Sequence, residues 1–181
     1  RMAKSGLNAN KIRAIFISHE HADHFRGVRV LSKKLGVPVY MTSKTWDRSW
    51  HPDRPEQVKV FSPGEVVKVG SFSIYTFLKN HDAAEPCSFR IEHEGMNVGV
   101  FTDIGAACNN VMEQVGLCQA LFLESNYDER MLWDGPYPYH LKRRVASDHG
   151  HLSNLQASEL LEKYHHPELK VVFLSHLSQE N

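Results

Sequence analysis

Three histidines and an aspartate occupy four of the six positions from His19 to His24, in the order H-x-H-x-D-H. Residues 12–17, directly before them, are apolar apart from one arginine and rich in isoleucine, as is typical of a buried strand. The cluster therefore begins where a buried strand ends and a loop starts. Side chains that can bind metal are costly to leave desolvated and unpaired, so this pattern predicts a metal site at a strand end.

Apolar and turn-forming residues predict alternating helices and strands along the rest of the chain. A helix is predicted at residues 25–35, because its apolar positions recur at spacings of three and four and Gly36 follows as a stop. Further strands are predicted at residues 37–41, 58–61, 65–69, 72–78, 88–93, 97–102, 120–123 and 171–174. Further helices are predicted through 46–50, with Thr42 or Ser43 as the cap, at 109–115 and at 153–164. Residues 124–148 are predicted to form a loop with one helical turn at 128–133. This alternation favours a layered α/β fold in one domain of 181 residues.

Polar residues also follow three later strands, where His81, Asp103 and His176 stand. A single histidine after a strand is usually structural, but loops at strand ends converge on one face of a layered α/β fold. Imidazole nitrogens and carboxylate oxygens suit divalent ions such as Zn²⁺ or Mn²⁺, and also iron. The candidate ligands are too many for one ion and predict two, about 3.5 to 4 Å apart, with Asp103 between them and a shared water. The candidate ligands are His19, His21, Asp23, His24, His81, Asp103 and His176.

The overall composition excludes several other kinds of protein. The 21 Lys and Arg residues balance the 21 Asp and Glu residues, so charge alone cannot hold long duplex DNA, and any contact with nucleic acid has to be local. No apolar run approaches the roughly 18 residues that cross a membrane. The three cysteines form no CxxC pair, which argues against a disulfide framework or a thiolate zinc site and predicts a reducing, cytoplasmic location.

A basic run precedes a second group of polar residues in the last third of the chain. Lys142, Arg143 and Arg144 lie shortly before His151, and the helix predicted near Ser153 would offer free backbone N–H groups at its start. Two interpretations are open at this point: a phosphate-binding loop, or a solvated turn followed by an ordinary helix cap. The candidate phosphate-binding residues are Arg143, Arg144, His151, Ser153 and Asn154.

The segments SHEHADH, FTD and LSH together resemble the metallo-β-lactamase superfamily, whose αββα sandwich binds two metal ions through an H-x-H-x-D-H signature. The resemblance implies the same sandwich for this chain. It also implies a division of the candidate ligands between the two ions. The implied ligands are His19, His21 and His81 for the first ion, Asp23, His24 and His176 for the second, and Asp103 as the bridge.

Two longer segments, LESNYDERML and LKRRVASDHGHLSN, resemble the YycJ/WalJ branch of this superfamily, whose members are described as DNA exonucleases. The similarity covers essentially all of the chain. The opening strands and the glycine-rich turn of the family are absent, as is the segment expected after Asn181. We therefore expect a partial domain whose first sheet is incomplete.

The resemblance implies a metal-dependent phosphodiester hydrolase, and more narrowly a DNA exonuclease that acts from 5′ to 3′. In this mechanism a hydroxide that bridges the two ions attacks phosphorus, and both ions offset the developing charge. His151 matches a histidine that helps to bind phosphate in phosphodiesterase branches, and it would protonate the departing oxygen. Asp23 would orient the nucleophile while it binds metal.

Two alternatives are open. The same metals would hydrolyse a thioester, lactone or other small ester in a protein that resembles glyoxalase II, and such activity would not depend on the basic run at residues 142–144. A non-catalytic sensor domain that kept the fold is the second alternative. Such proteins usually lack a ligand of the signature, whereas this sequence has all of them.

Overall fold

The computed structural model describes residues 2–180. Apart from three short 3-10 helices, the first elements are β1 (Ile15–Phe16), α1 (Ala22–Phe25), α2 (Val28–Leu35), β2 (Val39–Met41), α3 (Ser43–Arg48), β3 (Val58–Val60), β4 (Val66–Val69) and β5 (Phe72–Leu78). They are followed by β6 (Cys87–His93), β7 (Met96–Phe101), α4 (Asn109–Val115), β8 (Ala120–Glu124), α5 (Glu129–Asp134), α6 (Tyr139–Val145), α7 (Asn154–Tyr164) and β9 (Val171–Ser175). Within residues 2–180, no helix has the length and apolar character needed to cross a membrane.

The strands form two sheets. In the first sheet β1, β2 and β3 are parallel neighbours. The second sheet contains β4 to β9 in sequence order, antiparallel from β4 to β7 and parallel from β7 to β9. Because β5 and β7 are both antiparallel to β6, strands β5, β7, β8 and β9 run in the same direction. Their C-terminal ends therefore lie along one edge of the second sheet, and this edge positions the loops that follow them.

Apolar side chains join the two sheets and cover their outer faces. Tyr40 and Phe89 are buried in the cluster between the sheets. Phe25 and Val28, from α1 and α2, pack against the outer face of the first sheet. Leu121 is buried on the outer face of the second sheet, in a cluster with residues of α4 and α7. Burial of each such side chain contributes roughly 1.5–3 kcal/mol, and the resulting αββα sandwich confirms the predicted α/β fold class.

The second sheet is wider than the first, and part of its inner face is uncovered. Phe89, Val100, Phe122 and Phe173 are register partners in neighbouring strands and share this face. Phe89 is buried between the sheets, whereas the stacked rings of Phe122 and Phe173 are 40% and 49% exposed. The first sheet therefore leaves β8 and β9 open on the inner side.

Several predicted elements differ from the structure. The helix predicted at 25–35 begins at Val28, because Gly27, with a φ of 89°, separates it from α1. The strand predicted at residues 12–17 is reduced to Ile15–Phe16, because only these residues pair with β2. Residues 124–148, predicted as a loop, contain the two helices α5 and α6. The sequence pattern does not indicate α6, because a periodic signal needs several apolar residues and the inward-facing ones in this short helix are Leu141 and Val145. Pro138, directly before the helix, also suggests a turn. These side chains pack on Leu132 of α5.

Candidate metal centre

The candidate ligands follow strands whose ends meet at one edge of the sandwich. Residues 19–24 follow β1, while His81, Asp103 and His176 follow β5, β7 and β9. Helix α1 begins at Ala22, so the H-x-H part of the signature precedes the helix and the D-H part lies within it. His19 and His21 share one group of converging donor atoms and Asp23 and His24 another, while His19, His24 and Asp103 form a further group that links the two.

The first group consists of His19, His21 and His81. Each offers a ring nitrogen, and these nitrogens lie within 4.8 Å of one another. Nε2 of His81 is 3.3 Å from Nδ1 of His21. Nε2 of His19 is buried and has no hydrogen-bond partner among the described residues. Three imidazole nitrogens that converge in this way form a donor set for a divalent ion.

The opposite nitrogen of each of these rings contacts the protein. The hydroxyl of the preceding serine lies 2.9 Å from Nδ1 of His19, and the carbonyl oxygen of Asp82 lies 3.2 Å from Nε2 of His21. Nδ1 of His81 donates to the carbonyl of Gly150 at 3.0 Å. Such partners fix the orientation and the tautomer of a ring, so the remaining nitrogens are left for a metal.

The second group consists of Asp23, His24 and His176, whose donor atoms also lie within 4.8 Å of one another. Asp103 lies between the two groups. Its Oδ2 is 3.4 Å from Nε2 of His24, and its Oδ1 is 3.5 Å from Nε2 of His176 and 3.9 Å from Nε2 of His81. Asp103 therefore has the position of a ligand shared by both groups.

The backbone is strained at two of these residues. Asp103 has a φ of 55° and His176 a φ of 56°, in the left-handed region that residues other than glycine rarely adopt. Each such residue costs about 1–3 kcal/mol and persists only where the surrounding structure holds it. Strain of this kind clusters at functional sites, which agrees with the position of both residues at the meeting point of the two groups.

Three of the candidate ligands, His19, His81 and Asp103, have the protonation states that metal binding requires, whereas the hydrogen bond to Glu124 raises the pKa of His176. Burial lowers the pKa of His19 to about 2 and that of His81 to about 4, so both rings are neutral at neutral pH. Burial alone would raise the pKa of Asp103, but the nearby His24 ring and the charge of Lys79 outweigh it and lower this pKa. Neutral imidazoles and an ionised carboxylate bind divalent ions without first losing a proton.

Glu124, which the sequence analysis missed, is fully buried beside the second group. Its Oε1 accepts hydrogen bonds from Nδ1 of His176 at 2.7 Å and from Nδ1 of His151 at 2.9 Å. Its Oε2 accepts from the backbone N–H groups of Ile104 and Leu152. Burial alone would raise the pKa of Glu124, but the bonds from the two histidines outweigh it and lower this pKa. One signal was available: Glu124 stands directly after the strand predicted at 120–123, as the candidate ligands stand after theirs.

Lys79 is a second residue that the sequence analysis missed. Its side chain is 1% exposed, and its Nζ donates to the carbonyl of Thr102 at 2.6 Å and lies 3.9 Å from Oδ2 of Asp103. Burial lowers the pKa of Lys79, while the charges of Asp103 and Glu124 act in the opposite direction. Lysines are rarely buried, so nothing in the sequence distinguishes this one from a surface residue.

Two of the candidate phosphate-binding residues lie at the centre. The ring centroid of His151 is 5.3 Å from that of His81 and 5.0 Å from that of His176. Nε of Arg144 donates to Oδ2 of Asp82 at 2.6 Å, and Asp82 directly follows His81 in the chain. His151 therefore borders both donor groups, whereas Arg144 reaches only Asp82, beside the first group.

The other three candidates have different surroundings. Arg143 is exposed on α6. Ser153 is fully buried and caps α7, where its hydroxyl accepts from the N–H of Gln156 at 3.2 Å and the Gln156 side chain accepts from the N–H of Ser153. Asn154 accepts a hydrogen bond from the Ser125 hydroxyl at 2.5 Å. The side chains of Ser153 and Asn154 are thus engaged at the start of α7.

The buried atoms of this centre fit divalent metal ions. Nε2 of His19 and Oδ2 of Asp103 lack hydrogen-bond partners among residues 2–180, although both atoms are buried. A buried polar atom left without a partner costs roughly 1–3 kcal/mol. A divalent ion at each group would satisfy these atoms through ligands of the types that such ions prefer.

A sandwich of this kind, with imidazoles and carboxylates gathered at one edge, defines a class of proteins built to bind divalent ions. The comparisons with known proteins narrow this class. The family model described as "Beta-lactamase superfamily domain" matches residues 2–176. The metallo-beta-lactamase fold protein YhfI from Bacillus subtilis has a TM-score of 0.68 over 96% of this chain and 68% of its own, at 18% identity, and this likeness supports the fold.

Two bacterial relatives identify the branch. Exodeoxyribonuclease YycJ of Bacillus anthracis is 35% identical over 178 residues, which are 97% of this chain and 67% of that protein. Exodeoxyribonuclease WalJ of Streptococcus pneumoniae serotype 2 is 32% identical over 185 residues, which are 99% of this chain and 69% of that protein. The chain belongs to the metallo-β-lactamase superfamily, in the branch that contains YycJ and WalJ.

Proposed function

We propose that this protein hydrolyses phosphodiester bonds in DNA as an exonuclease that acts from 5′ to 3′. The observation that carries the proposal is that His151, a potential proton donor, lies against both donor groups. The centroid of its ring is 5.3 Å from that of His81 in the first group and 5.0 Å from that of His176 in the second. The similarity to two proteins named exodeoxyribonucleases supports DNA as the substrate.

We assign two divalent ions to the two donor groups. The convergence of the donor atoms within 4.8 Å in each group, the buried Nε2 of His19 and the central position of Asp103 support this assignment. When bound, two such ions lower the pKa of a shared water and offset the charge that develops on the phosphate. Zn²⁺ and Mn²⁺ both suit these donors. The proposed ligands are His19, His21 and His81 for one ion, Asp23, His24 and His176 for the other, and Asp103 for both.

We assign the proton donor of the reaction to His151. Its Nδ1 is bonded to the buried carboxylate of Glu124 at 2.9 Å, which leaves Nε2 for the departing oxygen. Glu124 bonds His176 through the same oxygen, so it positions the proton donor relative to the second donor group.

Asp23 and two arginines complete the proposed site. The side chain of Asp23 is exposed and one of its oxygens lies 3.2 Å from Nε2 of His24, so it can orient the attacking water at the open side of the second group. Arg143 and Arg144, on α6, would bind the phosphates next to the one that is cleaved. This local contact is compatible with a net charge of zero for the whole chain.

The proposal is tested with DNA strands that carry a label at the 5′ or the 3′ end, incubated with the 181-residue chain in Mn²⁺ or Zn²⁺. We expect the 5′ label to leave first as a mononucleotide, while strands labelled at the 3′ end shorten stepwise. Removal of metal with a chelator should stop both reactions, and added Mn²⁺ or Zn²⁺ should restore them. A thioester is incubated in parallel, and its hydrolysis without any cleavage of DNA would support the small-ester alternative instead.

A pair of variants makes this test specific. Asp23→Ala should lower the rate of DNA cleavage steeply, because it removes a proposed ligand that also orients the water. Asp134→Ala is the matched control, since Asp134 is an exposed carboxylate on α5 outside both donor groups. Near-native cleavage by Asp23→Ala would contradict the mechanism.

We also propose that the protein works in the cytoplasm. Cys87, Cys108 and Cys118 are free thiols. Burial raises the pKa of Cys87 and of Cys118 to about 12, so neither forms a reactive thiolate at neutral pH. Free cysteines are typical of a reducing compartment.

A further inference from the structure

Asp82 places a carboxylate beside the three-histidine group, although neither the signature nor the strand pattern indicates it. Its Oδ1 lies 3.4 Å from Nε2 of His81, and it also lies 3.8 Å from Nε2 of His21, the nitrogen of that ring that faces the protein. Nδ1 of His81 is already bonded to a backbone carbonyl, so Nε2 is the ring nitrogen that this group leaves for a metal. The carboxylate of Asp82 is therefore on the metal-binding side of His81.

Two contacts hold Asp82 in this position. Its backbone N–H donates to the carbonyl of His149 at 3.0 Å. Nε of Arg144 donates to Oδ2 at 2.6 Å, which leaves Oδ1 directed toward the imidazoles. The side chain of Asp82 is 32% exposed. It also lines a cavity of about 520 Å³, and Asp47 lines the same cavity. The carboxylate is thus fixed at the boundary between the donor group and open space.

A carboxylate at this position would change which ion the group prefers. Three imidazoles alone form a set that is typical of zinc. A carboxylate oxygen is a harder ligand than an imidazole nitrogen. A site that contains one therefore binds Mn²⁺ more tightly than a site built only from nitrogens does. We propose that Asp82 is an additional ligand of the ion held by His19, His21 and His81, and that it shifts the preference of this site toward Mn²⁺.

The inference rests on the proposed ligand set, and its test measures metal binding without any substrate. The full chain is prepared without metal in a His24→Ala, His176→Ala background, which removes at least one donor from every other group of converging donor atoms, so that the three-histidine group is the one group left complete among the described residues. Dissociation constants are measured for Mn²⁺ by electron paramagnetic resonance and for Zn²⁺ by competition with a chromophoric chelator. We expect Asp82→Asn to raise the constant for Mn²⁺ about tenfold or more, and that for Zn²⁺ by less than about threefold.

Three matched variants separate a ligand from a structural residue. Arg144→Met breaks the same ion pair but keeps the carboxylate, so it should keep the ratio of the two constants within about threefold. Asp47→Asn removes another carboxylate of the same cavity and should change neither constant. Asp82→Glu keeps a carboxylate and should recover part of the affinity for Mn²⁺.

Three results would overturn the inference: equal changes for both ions in Asp82→Asn, no change in either, or the same shift in Arg144→Met. A chain with intact His24 and His176 that binds no divalent ion would contradict the proposed function itself. The two failures are therefore distinguishable, because ion binding that is independent of Asp82 leaves the proposed ligand set intact.

Discussion

Asp103 combines three properties that a shared metal ligand needs. It is buried, its pKa is lowered so that it stays ionised, and its Oδ1 lies between His81 of the first group and His176 of the second. Asparagine also tolerates the left-handed region, so Asp103→Asn removes the charge without a new backbone strain. This substitution therefore isolates the contribution of the carboxylate charge.

We expect Asp103→Asn to bind fewer than two ions per chain and to cleave DNA at least about a hundredfold more slowly, since the shared charge is lost. Elemental analysis of the purified variant measures the metal, and the end-labelled strands measure the rate. The thermal unfolding temperature of the metal-free form serves as the control for folding. Two bound ions and full activity in this variant would show that Asp103 is not a shared ligand.

His151 is predicted to act on the substrate rather than on the metals. His151→Ala should lower the rate of cleavage by about 10² to 10⁴, which is the usual contribution of a general acid, while the metal content is unchanged. The matched control is His149→Ala, because the His149 side chain is exposed and only its carbonyl contacts Asp82. Loss of metal in His151→Ala, or equal effects of the two variants, would contradict this role.

At the scale of residues, the donors were easier to predict than the residues that support them. Four candidate ligands are neighbours in the sequence, and His81, Asp103 and His176 share the property of following apolar strands. Glu124 and Lys79 are buried because distant segments pack around them, and no local pattern records such packing. The structure brings the predicted ligands together, and their binding of metal stays a proposal.

At the scale of elements, helix α7 depends on its first turn. Ser153 and Gln156 form a reciprocal capping box there, so the serine hydroxyl is committed to the helix. Ser153→Ala should lower the free energy of unfolding by about 0.5–2 kcal/mol and leave the KM for DNA unchanged. Denaturant unfolding and steady-state kinetics measure the two quantities. A raised KM with unchanged stability would favour the phosphate-binding interpretation of Ser153.

The segment from α6 to α7 explains why His151 could not be positioned from the sequence alone. Its turn is packed so closely that a Cβ on Gly150 would lie 2.2 Å from the carbonyl oxygens of Arg144 and Val145. The carbonyl of Asp148 accepts from Ala106 at 2.9 Å, and this bond ties the turn to the loop after β7. This bond joins segments more than forty residues apart, whereas the sequence pattern predicted a loop with a single helical turn.

At the scale of the whole molecule, the balanced charge limits how DNA is held. If Arg143 and Arg144 make the principal phosphate contacts, the logarithm of the affinity for single-stranded DNA should fall against the logarithm of salt concentration with a slope between roughly −1 and −2. Fluorescence anisotropy with the metal-free chain measures this slope. A slope steeper than about −5 would require a broad basic surface that the net charge of zero argues against.

Most of the architecture was accessible from the sequence, because it depends on periodic patterns. The predicted strands at 72–78 and 88–93 and the helix at 109–115 agree with β5, β6 and α4 to within one residue. The difference in width between the two sheets was not accessible, since it depends on which strands pair rather than on where they lie. That the 181 residues form a single domain stays a prediction.

The central claim is that two cations share Asp103 at the rim of the sandwich. Crystals grown with Mn²⁺, with diffraction recorded at the manganese absorption edge, locate such ions without reference to activity. The account predicts two anomalous peaks about 3.5 to 4 Å apart, one against each donor group and both within bonding distance of Asp103. A single peak, or two peaks remote from this carboxylate, would contradict it.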